Sequence, residues 1–159
     1  HGRHASLAIE HADGVTRYAY GSWSWYALNR TGPFRASGTL FVGHEAGLGR
    51  KDLGNHRDLG AVRRAVVVPT EAAWRIEVPR ERASELAEQL EFVFRSNAAT
   101  RTTNPLFDLT FVRHPEPYHV RNNSNHMTAK WLRMLGCEVD MNGPLSSWRV
   151  EQDSAASRP

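Results

Sequence analysis

Alternating hydrophobic and polar residues near the start of the chain predict a β-hairpin. Residues 4–10 and 15–20 alternate in this way, and Asp13-Gly14 between them is a pair typical of two-residue turns. A turn at that pair places Glu10 opposite Arg17, which is a favourable cross-strand pair of charges. Similar patterns predict further short strands at 37–42, 64–68, 73–78 and 106–112.

Two later stretches carry hydrophobic residues at helical spacing. The first begins after Pro79, and its polar side is a row of glutamates that we expect to be solvated. Its apolar side comprises Ala83, Leu86, Ala87, Leu90, Val93 and Phe94, and the glutamates are Glu81, Glu85, Glu88 and Glu91. The second helix runs from about Asn125 to Leu135, and Gly136 is suited to end it. Its predicted buried residues are Met127, Trp131, Met134 and Leu135.

The order of these elements favours an α+β fold, with a mostly antiparallel sheet packed by two main helices. Strands and helices do not alternate in the regular manner of a parallel βαβ sheet. The stretch from Gly43 to Asp58 holds four glycines and mixed charge, so we expect a long surface loop there. We expect one domain over residues 1–151 and a flexible tail over 152–159.

Composition and charge narrow the classes of function. A net charge of +3 over 159 residues is too small to indicate a nucleic-acid partner, and no apolar stretch reaches the ~20 residues of a transmembrane helix. The single cysteine, Cys137, excludes an internal disulfide and a multi-cysteine metal site. The eight histidines show no strong metal-ligand spacing, so we expect no metal and no cofactor. The cations between Arg50 and Arg64 predict a solvated face of mixed charge or, alternatively, contact with an anionic envelope surface.

The stretch 118–129 carries the clearest chemical signal in the chain. A strand-like approach leads into four short polar residues, Asn122 to Asn125, and then into the first turn of the second helix. A side chain at this junction lies at the positive end of the helix dipole, where backbone N–H groups stabilise a thiolate or an oxyanion. The simpler interpretation is structural, because Ser124 is a good N-cap and short amides suit turns.

The same region resembles a known protein family. Asn-Ser-Asn-His-Met-Thr-Ala-Lys-Trp-Leu-Arg-Met-Leu-Gly-Cys-Glu-Val at 123–139 resembles the block Asn-Cys-Asn-Thr-Trp-x-Ala-x-x-Leu-x-x-x-Gly of a bacterial family of uncharacterised proteins. That family is similar to the circularly permuted papain-like group, which includes NlpC-type peptidases and lecithin:retinol acyltransferase-like enzymes. His1-Gly-Arg-His4 resembles the family's His-Gly-x-His strand, and Tyr20-Gly21-Ser22-Trp23 resembles its Gly-Trp-Gly-Asp turn. The resemblance implies a permuted papain-like fold.

Carried over by position, the resemblance implies that His4 is the base and that residue 124 is the nucleophile. Ser124 stands where the family has Cys. A hydroxyl does not ionise near neutral pH as an activated thiol does, so we expect little thiol-type activity. An engineered Cys-to-Ser replacement, a natural serine enzyme and a natural inactive relative all remain open. Asn123 and Asn125 are candidate oxyanion donors, and His126 is a candidate second imidazole beside the nucleophile.

The predicted hairpin sorts its side chains between two faces. His4 shares a face with even-numbered residues of the first strand and odd-numbered residues of the second. Tyr18 and Tyr20 then face the other way, unless a bulge at Gly21 re-aims them. The hairpin therefore offers no carboxylate or amide to orient His4, and the third member of the site is left unassigned.

The resemblance implies a papain-like cysteine hydrolase or acyltransferase that needs no cofactor. It would transfer an acyl group from an amide, ester or thioester bond of a cell-wall peptide or a lipid substrate. The alternatives are a catalytically inactive binding module for envelope wall fragments or lipids, and a plain structural domain. Because the sequence begins without Met at its first predicted core strand, we expect a bacterial envelope protein, periplasmic or secreted.

Overall fold

A five-stranded antiparallel sheet with two main helices on one face organises the chain. The computed structural model describes residues 5–29, 44–141 and 148–151. The sheet has the order β1-β2-β3-β5-β4, which confirms the expected α+β class and the antiparallel sheet. Its strands are β1 (Ser6–His11), β2 (Gly14–Ser22), β3 (His44–Asp52), β4 (Thr102–Asn104) and β5 (Leu109–Tyr118).

Three α-helices and a small second sheet complete the described residues. The helices are α1 (Leu59–Ala65), α2 (Arg80–Ser96) and α3 (Ser124–Met134), with a π-helical turn at Trp23–Ala27 and a 3-10 turn at Ala98–Thr100. The second sheet pairs β6 (Glu138–Met141) with β7 (Trp148–Glu151). None of the helices in the described ranges is long and apolar enough to cross a membrane.

The main sheet buries a different cluster on each face. On the helix face, side chains from the strands pack with those of α2 and α3; the cluster includes Tyr18, Tyr20, Leu48, Val112, Leu86, Leu90, Met127 and Trp131. On the other face, Trp23, Ala27, Leu109 and Phe111 form a smaller cluster. Burying a large apolar side chain contributes roughly 1.5–3 kcal/mol. The helix-side cluster is the larger of the two, and it holds α3 against the sheet.

The hairpin forms as predicted, but its turn lies one residue earlier, so the cross-strand register differs by two residues. His11 pairs with Gly14, so the turn residues are Ala12 and Asp13, and Arg17 lies opposite Ala8. Gly14 is the first residue of β2, where its φ is +153° and a Cβ would lie 2.7 Å from the Gly54 carbonyl oxygen. The expected pairing of Glu10 with Arg17 is wrong, since Glu10 lies opposite Val15. Gly14 makes a close contact with a distant segment and does not occupy the turn.

The glycine-rich stretch after residue 43 is a central strand, so the expectation of a surface loop is wrong. β3 lies between β2 and β5, and Ala46 to Gly49 are buried. A Cβ at Gly49 would lie 2.7 Å from the Phe111 ring, and one at Gly47 would lie 3.2 Å from the Trp23 ring. The glycines of β3 therefore make room for aromatic rings that pack across the sheet.

The other strand predictions had mixed outcomes. Residues 64–68 and 73–78 form no strand: α1 takes up Leu59–Ala65, capped by Asp58, and residues 66–79 have no regular structure. β-Branched residues form strands only where a neighbouring strand can pair with them, and none of the described strands pairs with these. The strand expected at 106–112 begins only at Leu109, after a turn, and continues to Tyr118. The strand expected at 37–42 and the tail at 152–159 lie outside the described residues.

Both predicted helices are confirmed, with two corrections. Leu86, Leu90 and Phe94 of α2 are buried as expected. Glu91 is not simply solvated, because it accepts hydrogen bonds from the Tyr18 hydroxyl at 2.7 Å and from Arg50. In α3, Met134 is 38% exposed and does not belong to the buried side. Gly136 follows α3 with a φ of +89°, which suits its expected role at the helix end.

The cationic residues between 50 and 64 do not form a single surface. Arg50 points to the helix face of the sheet, and its guanidinium pairs with Glu91. Lys51 is next to it on β3, so it points to the opposite face, where it pairs with Asp108 at 2.9 Å. This arrangement favours the interpretation of a mixed-charge face over that of one anion-binding patch.

Candidate functional site

The N-terminal end of α3 is built around the Asn123 side chain. Its Oδ1 atom accepts hydrogen bonds from the backbone N–H groups of Asn125 at 3.0 Å and His126 at 3.1 Å. Asn123 is therefore the N-cap, and its side chain is buried. The structural interpretation that made Ser124 the N-cap is therefore wrong. Asparagine and serine cap helices about equally well, so the sequence does not show which of the two residues is the cap.

Ser124 is the first residue of α3 and is 3% exposed. Its carbonyl accepts a hydrogen bond from the Thr128 hydroxyl at 2.9 Å, one turn further along the helix. The residue thus lies at the positive end of a helix packed on the sheet, as the sequence predicted for this junction. That position favours an anion at residue 124 over a neutral group.

His126 is oriented by the same cap. Its Nδ1 lies 2.9 Å from Oδ1 of Asn123, and because that oxygen can only accept, Nδ1 carries the proton of the neutral ring. Nε2 is then the basic nitrogen. Burial, and after it His119 and Arg133, lower the pKa of His126 below its ordinary value.

The structure shows where the three candidate supporting residues, Asn123, Asn125 and His126, direct their polar groups. Residues two apart on a helix do not face each other, so His126 points away from Ser124 along a different side of α3. The expectation of a second imidazole beside the nucleophile therefore receives no support from α3 geometry. Asn123 Oδ1 is fully engaged by the cap, and its Nδ2 donates to the Val120 carbonyl at 3.3 Å. Asn125 contributes its backbone N–H to the cap.

The predicted base, His4, lies outside the described residues. The described part of its strand confirms how the hairpin sorts its side chains. Ser6 and Arg17 lie on one face and form a hydrogen bond of 3.1 Å, while Tyr18 and Tyr20 are buried on the helix face. No bulge re-aims the two tyrosines.

Sequence reasoning missed a polar cluster that ties the start of α3 to the sheet. The Tyr20 hydroxyl lies 3.1 Å from Nδ2 of Asn122 and 3.0 Å from the carbonyl oxygens of Glu116 and Pro117. His114 packs edge-on against the Tyr20 ring, with 5.0 Å between ring centroids. The available signal was Tyr20 itself, because a tyrosine in an apolar strand face needs a partner for its hydroxyl.

A shallow cleft of about 330 Å³ opens beside His114. The pairing of β3 with β5 is irregular here. His114 pairs with Ala46 and Tyr118 pairs with His44, so four residue steps along β5 lie opposite two along β3. The cleft is lined by His44, Glu45, Ala46, Arg113, His114, Pro115 and Pro117, and residue 124 is not part of its wall. Burial lowers the pKa of His114 below its ordinary value, which favours the neutral ring.

No metal centre is evident in the part of the chain that the structure describes. Within residues 5–29, 44–141 and 148–151, no three His, Cys, Asp or Glu side chains are grouped so that they could hold an ion. Cys137 follows the opposite end of α3 from Ser124, and burial raises the pKa of its thiol. Comparisons with protein families, with curated proteins and with solved structures give no significant match for this chain.

Proposed function

We propose that the start of α3 is an acyl-transfer site of the permuted papain-like type, with residue 124 as its nucleophile. The observation that carries this proposal is the placement of Ser124 as the first residue of a helix buried against an antiparallel sheet. The helix dipole lowers the pKa of a thiol at such a position and stabilises an oxyanion formed there. The motif resemblance at 123–139 supports the same assignment.

The proposed reaction needs only the nucleophile and one base. The side-chain atom of residue 124 bonds to the substrate carbonyl carbon while its proton passes to a general base, the role that the resemblance gives to His4. The tetrahedral intermediate then collapses, the bond to the leaving group breaks, and His4 returns the proton to that group. Water or an acyl acceptor, deprotonated by His4, attacks the acyl-enzyme and frees residue 124, which takes the proton back. The substrate would be an amide, ester or thioester of a cell-wall peptide or a lipid, at the bacterial envelope.

The hydroxyl of Ser124 limits this chemistry. A thiol at a helix N-terminus is a thiolate over much of the neutral range, whereas a hydroxyl must lose its proton during attack. The chain with Ser124 should therefore show little thiol-type activity, and the Ser124→Cys variant should show it.

The test compares two thiols at opposite ends of α3. In the Ser124→Cys variant, iodoacetamide should label position 124 much faster than Cys137, whose thiol has a raised pKa. His4→Ala should slow this labelling, and the neighbouring His1→Ala should not. Labelling of position 124 no faster than that of Cys137 would contradict the proposal.

A second proposal is a binding module that uses the same end of α3 without catalysis. The hydroxyl that stands in place of a thiol at residue 124 favours it. A native codon for serine at 124, combined with no reaction towards fluorophosphonate probes, is the outcome expected of such a module. Binding of muropeptides or lipid vesicles by that unreactive protein would identify its ligand.

A further inference from the structure

Two tyrosines on the same face of β2 attach the sheet to different helices. Tyr18 and Tyr20 are 1% and 3% exposed, and both hydroxyls are hydrogen-bonded. The Tyr18 hydroxyl donates to Glu91 of α2 at 2.7 Å. The Tyr20 hydroxyl accepts from Asn122, directly before the cap of α3. Tyr18 is thus a matched control for Tyr20, since of the two only Tyr20 contacts the segment that leads into residue 124.

Asn122 joins three parts of the protein. Its Nδ2 donates to the Tyr20 hydroxyl at 3.1 Å and to the Pro117 carbonyl at 2.8 Å. Its backbone N–H and carbonyl pair with His119 at 2.9 and 3.3 Å, which closes the turn before the helix. The Tyr20 hydroxyl in turn donates towards the Glu116 and Pro117 carbonyls. Strand β2, the irregular end of β5 and the start of α3 therefore meet at these two side chains.

We propose that Tyr20 and Asn122 are positioning residues for residue 124. Apolar packing by Met127 and Trp131 presses α3 onto the sheet, but such contacts tolerate small shifts along the helix axis. Hydrogen bonds are directional, so the bonds of Asn122 define where the first turn begins. A displacement of about 1 Å at a reacting atom can lower the rate by ~100-fold, which is why such supporting contacts matter. This inference rests on the proposed acyl-transfer function.

The test uses the thiol at position 124 as a reporter of its own surroundings. The parent protein carries Ser124→Cys and Cys137→Ser, and its thiolate is titrated by ultraviolet absorbance. Three variants are made in that parent: Tyr20→Phe, Asn122→Ala and Tyr18→Phe. The titration does not depend on access of a reagent, so a loosened site cannot imitate a reactive one.

We expect Tyr20→Phe and Asn122→Ala to raise the thiol pKa by about one unit, because the sulfur moves out of line with the helix terminus. Tyr18→Phe should leave the titration unchanged, although it also removes a buried hydroxyl. Thermal unfolding of each variant separates lost positioning from lost stability, and Asn122→Ser replaces Asn122→Ala if the latter does not fold.

Several results would overturn the inference. An unchanged titration in Tyr20→Phe, or an equal shift in Tyr18→Phe, shows that the Tyr20 hydroxyl does not position residue 124. A parent thiol that titrates near the ordinary value of about 8.5 contradicts the proposed function itself, and the positioning role falls with it. A parent thiol with a lowered pKa that no Tyr20 or Asn122 variant moves contradicts the positioning role alone.

Discussion

Nδ1 of His126 lies 2.9 Å from Oδ1 of Asn123, so the residue that caps α3 also orients the first histidine of that helix. The same oxygen accepts the N–H groups of Asn125 and His126. One buried amide thereby satisfies two backbone donors at the helix start and selects the tautomer of an imidazole. Helix stability and the chemistry of the candidate site are linked through this atom.

Removing the cap should destabilise the protein. We expect Asn123→Ala to lower the free energy of unfolding by about 1–2 kcal/mol, because two N–H groups of α3 lose their acceptor. Asn123→Asp keeps an acceptor and adds a negative charge at the helix N-terminus, so it should retain most of the stability. Urea unfolding measures both effects. Asn125→Ala is the control, since Asn125 contributes its backbone to the cap, and an equal loss there would contradict the prediction.

The same Asn123→Asp variant should change the titration of His126. A carboxylate beside Nδ1 favours the charged imidazolium, so the pKa of His126 should rise from its lowered position. The histidine ring signals in NMR spectra report this titration directly. An unchanged or lower pKa would show that the contact between the two side chains does not persist in solution.

Stability should fall as the pH falls from 7.5 to 5.5. Burial lowers the folded-state pKa of His114 and of His126, so the unfolded chain binds more protons in this range. The stability that these two histidines contribute is fully present above their pKa in the unfolded chain, about 6.5. It is lost as the pH falls through their lower pKa values in the folded protein. Urea unfolding across this range measures the slope. His114→Gln and His126→Gln should each flatten it, and an unchanged slope in both variants would contradict the prediction.

Filling the space above Gly49 should destabilise the sheet. A Cβ at Gly49 would lie 2.7 Å from the Phe111 ring, so Gly49→Ala should cost about 1–3 kcal/mol in unfolding free energy. Gly47→Ala is the matched control, because its nearest atom is 3.2 Å away and a smaller effect is expected. A Gly49→Ala, Phe111→Leu double variant should recover part of the loss. Equal effects at the two glycines would contradict this account.

The hydrogen bonds of Glu91 should contribute more to folding stability than its position on the polar face of α2 suggests. Glu91→Gln removes the charge that Arg50 and the Tyr18 hydroxyl share, and we expect a loss of roughly 1–2 kcal/mol. Glu88→Gln, on the exposed side of α2, should change stability by less than ~0.5 kcal/mol. Thermal unfolding of the two variants makes the comparison, and similar melting temperatures would refute the structural role of Glu91.

Local patterns predicted the helices well, and contacts between distant segments explain the failures. The apolar spacing in α2 and α3 is set within each helix, so it is visible in the sequence. β3 was missed because its glycines are explained by Trp23 and Phe111, which lie about 25 and 60 residues away along the chain. Gly14 lies in β2 against Gly54 and not in the turn, and no local pattern indicates that contact.

The candidate site was predicted in the same uneven way. The junction at 118–129 stands out in the sequence because polar residues precede an amphipathic helix. The identity of the cap does not, since Asn123 and Ser124 are equally good capping residues. The link from Tyr20 to Asn122 spans most of the chain, so only the folded structure brings it to view.

The two prolines of β5 have a consequence for how this sheet meets other molecules. β4 pairs with β5 only through Leu109, Thr110 and Phe111, so the rest of β5 has no strand beyond it among the described residues. Pro115 and Pro117 have no N–H to offer there, and the Glu116 N–H is taken by the His114 ring at 3.1 Å. Residues 115–117 therefore offer no free backbone N–H group with which the strand of another molecule could pair, which protects the sheet from edge-to-edge aggregation.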